Sequence, residues 1–151
     1  MMLREILLFN PILFSAIVAW LLAQTIKVLG EFITKRKWNW ALLFQAGGMP
    51  SSHSAMVSAT ALGIGLYMGF DQPVFAVSAI LAMIVIYDAT GIRRETGRQA
   101  VLINSIIEDL TKGKFAQVDR LKEVLGHTPG EAFLGTILGL AIAVVVWILV
   151  P

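Results

Sequence analysis

Apolar residues in this chain come in long runs rather than in the alternations of a soluble fold. Phe9 to Val28 reads FNPILFSAIVAWLLAQTIKV, broken by Asn10, Gln24 and Lys27. A bilayer core takes about 20 apolar residues as a helix, so this segment predicts a first span. Ala55 to Phe70, rich in small residues, predicts a second. Pro73 to Ala89 predicts a third, after the short polar turn Asp71-Gln72, and Ala132 to Val150 a fourth. Trp38 to Phe44 is aromatic and apolar but too short to cross. It fits an interfacial or re-entrant segment, or an extension of a tilted neighbouring helix.

Arg93 to Gly126 has a different rhythm. Leu102, Ile103, Ile106, Ile107 and Leu110 fall on one face of a helix, with polar residues opposite. Thr111-Lys112-Gly113-Lys114 interrupts that pattern. Phe115, Val118, Leu121, Val124 and Leu125 then form a second stripe, which Gly126 is suited to close. These read as two amphipathic helices, at the membrane interface or packed under the bundle. The expected fold is therefore all-α: one integral membrane helical bundle over residues 1–151, with about four spans and an amphipathic cytoplasmic segment at 93–126.

Composition agrees with the pattern. The chain is 57% hydrophobic and 15% charged, whereas soluble domains are about 45–50% apolar and about 25% charged. That disfavours a soluble globular protein. With no cysteine, disulfide scaffolds, thiolate metal sites and Cys nucleophiles are excluded. Met1 to Phe9 has no signal-peptide cleavage site and runs directly into the first span. The net charge of +2 is too small to argue for a nucleic-acid partner, but its distribution carries information. Eleven of the 12 basic residues fall between Lys27 and Lys37 or between Arg93 and Lys122. With four spans those segments share one side of the bilayer, and the positive-inside rule makes that side cytoplasmic. Four spans bury little core, so a homodimer is a candidate assembly.

Polar residues at membrane depth are costly, so their placement points to function. The two histidines stand directly before spans: His53 in Gly47-Gly48-Met49-Pro50-Ser51-Ser52-His53-Ser54, and His127 in Gly126-His127-Thr128-Pro129-Gly130-Glu131. Helix N-termini present unpaired N–H groups and the positive end of the helix dipole, which favour anions. Lys27 ends the first span, and Arg93 and Arg94 follow the third. Two imidazoles, several cations and two helix N-termini at one membrane surface suit a phosphate group. Local structure accounts for some of the same residues. Ser51 and Ser52 are good helix starters, and Thr128-Pro129-Gly130-Glu131 fits a capping box. Lys27 could snorkel. Asp88, Glu95 and Arg98 could form an ion network with the arginines, and Gln24 shares a helix face with Lys27. A metal site from Asp88, Glu131, His53 and His127 lacks any HExxH-type spacing, so no metal is expected.

Three motifs carry a family resemblance: Gly-Gly-Met-Pro-Ser-Ser-His-Ser-Ala at 47–55, Tyr-Asp-Ala-Thr-Gly-Ile-Arg-Arg at 87–94, and Gly-His-Thr-Pro-Gly-Glu at 126–131. In this order, over about residues 10–150, the chain resembles the divergent branch of the type 2 phosphatidic acid phosphatase family, whose wider group includes bacterial acid phosphatases and vanadium haloperoxidases. The resemblance implies Lys27 as the first-motif cation and Pro50-Ser51-Ser52-His53 as the second motif, with Ser52 where the family has Gly. It implies Arg93 or Arg94 as the third-motif arginine and His127 as the nucleophile, with Glu131 replacing the family's Asp. The chain departs from the pattern in lacking an Arg-Pro after Lys27 and in the long interval from Arg94 to His127.

The implied chemistry is phosphoryl transfer without metal or cofactor. His127 attacks phosphorus, Glu131 holds the other ring nitrogen, and His53 serves as general acid and then base. Lys27, Ser51, Ser52, Arg93 and Arg94 bind the phosphoryl oxygens, with Asp88 and Gln24 as candidate network partners. A site at the bilayer surface implies a lipid-linked phosphate as substrate. The alternative is a phosphate- or phospholipid-binding or transport protein that keeps the cradle without hydrolysis.

Overall fold

A computed structural model of the chain describes residues 10–43, 47–110 and 126–150, with the backbone alone at 93, 94, 109 and 110. Helix α1 spans Pro11–Lys35, α2 Ser52–Met68, α3 Pro73–Thr90, α4 Ile92–Leu110 and α5 Pro129–Leu149, with a short 3-10 turn at Trp40–Leu43. No strand occurs among the described residues. The chain is an all-helical membrane bundle. Among the described residues three helical stretches are long and apolar enough to cross a bilayer: α1, the stretch Pro73–Glu108 that starts with α3, and α5.

Local chemistry sets the helix ends. Asn10 caps α1, its Oδ1 accepting the Leu13 N–H at 3.0 Å, with Pro11 in the first turn. Arg36 closes α1 in the left-handed region, φ 53°. Gly69, φ 107°, ends α2, and Pro73 opens α3. The first span, expected at 9–28, runs on to Lys35 because Phe32 and Ile33 extend the apolar run past Lys27. The second, expected at 55–70, starts at Ser52, so Ser52, His53 and Ser54 form its first turn rather than a preceding loop. At 17 residues it is shorter than its apolar neighbours. The first amphipathic helix is α4. It follows α3 across Gly91 and, among the described elements, packs on α3 alone. The stripe Phe115–Leu125 lies outside the described residues.

α2 is the centre of the bundle, packing against α1, α3 and α5, while α1 and α5 also meet each other. The interior is made of small side chains. Ala19, Ala23, Ala55, Ala59 and Ala143 form its core, and the largest fully buried side chains are serines. Large apolar residues such as Leu21, Val77, Ile80, Met83 and Ile148 point outward. This arrangement suits a lipid solvent. Hydrocarbon gives no reason to hide leucine, so helices associate through close backbone packing instead.

The closest approach is between α2 and α5. A methyl group on Gly135 would run into the Ser51 carbonyl, and one on Gly139 into the Ala55 carbonyl. At the opposite end, Tyr67 donates its hydroxyl to the Val150 carbonyl at 2.7 Å, with the Val146 carbonyl at 3.3 Å. Gly30 of α1 contrasts with these positions, since a methyl there would meet nothing within 4 Å among the described residues beyond its own helix. Gly139→Ala should therefore lower stability by about 1–3 kcal/mol through overpacking. Gly30→Ala should hold or raise it by about 0.5–1 kcal/mol by removing a flexible helical glycine. Thermal unfolding of both variants in detergent checks the contrast, and equal behaviour would contradict the packing described.

Candidate functional site

The start of α5 gathers several polar groups. Thr128 caps the helix, its Oγ1 accepting the Glu131 N–H at 3.3 Å, while Glu131 Oε2 accepts the Thr128 N–H at 3.0 Å. The capping box expected from Thr128-Pro129-Gly130-Glu131 is thus present. The same Oε2 lies 3.1 Å from Nδ1 of His127. One carboxylate closes the helix end and orients the imidazole together. His127 is only 4% exposed, and its backbone N–H is donated to the Ala89 carbonyl of α3 at 3.0 Å. That bond brings residue 127 back to α3 despite the long interval from Arg94.

The start of α2 lies against this end of α5. The Ser51 N–H is donated to the Glu131 carbonyl at 2.9 Å. Ser51 caps α2, its Oγ accepting the Ser54 N–H at 3.3 Å and lying 3.0 Å from Ser54 Oγ. Ser51, Ser52 and Ser54 are all buried. From α1, Lys27 places Nζ 3.4 Å from Ser52 Oγ and donates to it. Lys27 is 6% exposed, so it packs inside the bundle and does not snorkel. Lys27 and Glu131 thus reach this end of the bundle from α1 and α5, two helices in contact. Gly47 and Gly48, with φ of 96° and 76°, carry the chain past Lys27, and a side chain added at Gly48 would sit 3.8 Å from Lys27 Cδ.

The structure thus brings together Lys27, Ser51, Ser52, His127 and Glu131. His53 stands in the first turn of α2, half-buried. Asp88 is in the last turn of α3, also half-buried. Arg93 and Arg94 are placed by their backbone in the first turn of α4, and their side chains lie outside the described part. Gln24 takes a different role from the one expected. Its Nε2 donates to the Leu43 carbonyl at 2.7 Å, tying the 3-10 turn to α1. Its Oε1 is buried with no hydrogen-bond partner among the described residues. Away from the cluster, Lys35 pairs with Glu31 at 2.8 Å and Arg98 with Glu95 at 2.8 Å. Among the described residues no group of three or more His, Cys, Asp or Glu converges as a metal site.

Two contributors were not singled out from the sequence. Ser54 supports Ser51 from within the helix, and its signal was a third serine one turn after the cap. Gly135 lets α5 lie on the Ser51 backbone, and its signal was the four-residue spacing of Gly135, Gly139 and Ala143.

The family model described as "Divergent PAP2 family" matches residues 8–142. The chain belongs to that family. It is also 44% identical, over 150 residues, to a Bacillus subtilis (strain 168) protein named "Uncharacterized membrane protein YuiD", with 92% of this chain and 95% of that one covered. No solved structure matches the chain. The family model takes in all three motifs, and with the apolar helices it identifies an integral membrane protein of the divergent PAP2 type.

The capping box supplies a direct test of how the site is held. Thr128→Ala should cost about 0.5–2 kcal/mol, the usual loss for a helix cap. Glu131→Ala should cost more, because it also removes the His127 partner. Comparative melting in detergent should rank wild type above Thr128→Ala and Thr128→Ala above Glu131→Ala. The reverse order would contradict the double role of Glu131.

Proposed function

We propose that this protein is a membrane lipid-phosphate phosphatase working by metal-independent phosphoryl transfer through a phosphohistidine at His127. The observation that carries this reading is the buried His127 imidazole held by Glu131, in one cluster with buried Lys27 and the serines that open α2. Glu131 beside Nδ1 favours the tautomer with its proton there, which leaves the lone pair on Nε2 for attack.

In the first step the Nε2 lone pair attacks phosphorus. The bond from phosphorus to the lipid alcohol oxygen breaks, and His53 gives that oxygen a proton. In the second step water attacks phosphorus and His53 takes a proton from it. The phosphorus–nitrogen bond then breaks, its electron pair returns to Nε2, and inorganic phosphate leaves. Lys27, Arg93, Arg94 and the N–H groups opening α2 at Ser51 and Ser52 stabilise the phosphoryl oxygens, where fixed donors act most strongly. Glu131 supports the imidazolium. The concentration of basic residues beside this end of the bundle supports a cytoplasmic orientation. A site at the ends of membrane helices supports a substrate such as phosphatidate, phosphatidylglycerophosphate or a polyprenyl phosphate.

Phosphate release by the purified protein from these three lipids in detergent, with and without EDTA, tests the scheme. Release should survive EDTA and be abolished in His127→Ala. In His53→Ala it should fall about 10²–10⁴-fold, the usual contribution of a positioned acid–base group. Near-normal turnover in His127→Ala would overturn the mechanism. Measurable lipid binding without release from any lipid would instead establish a non-catalytic phosphate cradle.

A further inference from the structure

Beside the buried Lys27, a cleft of about 370 Å³ opens between the end of α1 and the loop that returns to α2. Lys27, Gly30, Glu31 and Thr34 line it from α1, and Leu42 and Gly48 face them. Its walls mix character: an ammonium at one end, a carboxylate and a hydroxyl along one side, and apolar surface from Leu42 opposite. Gly30 lies in the middle of a helix, where glycine is intrinsically unfavourable. The glycines of α5 make room for another backbone, but Gly30 does not. Among the described residues a Cβ there would meet nothing beyond its own helix within 4 Å, and it would point into the space of the cleft. The exposed Trp38 and Trp40 follow the end of α1, stacked with ring centroids 5.3 Å apart. Tryptophans of this kind favour the boundary between headgroups and acyl chains, which puts the end of α1 at that depth.

We propose that this cleft is the subsite for the alcohol side of the lipid phosphate, with Gly30 the residue that sets its room. This inference rests on the lipid-phosphate reading of the Lys27 cluster and adds where the rest of the lipid lies. The phosphate sits at Lys27. The polar part next to it, a glycerol or other hydroxyl-bearing segment, occupies the space over Gly30, with Glu31 and Thr34 as hydrogen-bond acceptors. The apolar chain lies along Leu42. Inorganic phosphate needs Lys27 but not the cleft.

The test compares wild type, Gly30→Ala and Gly30→Phe in detergent. Binding of dioctanoyl phosphatidic acid and of inorganic phosphate is measured by calorimetry, and turnover is measured on the same lipid. Gly30→Phe fills the cleft. It should weaken lipid binding and raise the lipid KM about tenfold or more, as filling a shaped pocket does. Inorganic phosphate affinity should stay within about twofold, since only binding of the alcohol side is lost. Gly30→Ala should fall between wild type and Gly30→Phe on the lipid. Unchanged lipid binding in Gly30→Phe, or an equal loss for lipid and for phosphate, overturns the assignment. The phosphatase reading fails separately. If wild type does not turn over the lipid, the two binding curves still decide the cleft.

Discussion

The contact on which the structure depends is the approach of α5 to the backbone of α2 at Gly135 and Gly139. Hydrocarbon supplies no hydrophobic drive between helices, so association comes from close packing and from hydrogen bonds that close contact permits. With any side chain at Gly135, α5 could not rest on the Ser51 carbonyl. The Ser51 N–H could then not reach the Glu131 carbonyl. That bond sets the two helix starts, carrying His53 and the His127–Glu131 pair, at a fixed separation. The polar cluster is thus a by-product of glycine packing one turn deeper in the bundle.

Glu131 shows how little machinery the cluster uses. A single carboxylate oxygen satisfies a backbone donor at the start of α5 and holds the His127 ring. The exposed Lys35–Glu31 pair is of the kind that contributes little to stability in water. Glu131 differs because its partners are fixed: a capped backbone on one side and a buried ring on the other.

Much of this was legible in the sequence, for reasons that vary by residue. The spans followed from uninterrupted apolar runs, because each must bridge the bilayer without unsatisfied backbone. The capping box and the His127–Glu131 pair were readable from local spacing, since both contacts are confined to one helical turn. The full length of α1 was less legible, because Lys27 looks like a boundary residue; it is buried against Ser52, and the helix continues through it to Lys35. Ser52, read as a helix starter, is the first residue of α2. The fate of Gln24 was not legible, since its partner is a loop carbonyl 19 residues away. The role of Gly135 was hidden for another reason. In an apolar run a glycine reads as filler unless the surface opposite it is known.

The shortness of α2 bears on how the protein meets its membrane. Its 17 residues span about 26 Å, as does the stretch of α1 from Pro11 to Lys27. A hydrocarbon core is about 30 Å thick. Lys35 of α1 lies two turns, about 12 Å, further along than Lys27. The central helix is therefore shorter than the hydrocarbon core is thick, but α1 and α5 flank it and are longer. Its neighbours, rather than the lipid, take up the difference. The polar turn at Ser52, beside Lys27, stands about two turns short of the end of α1.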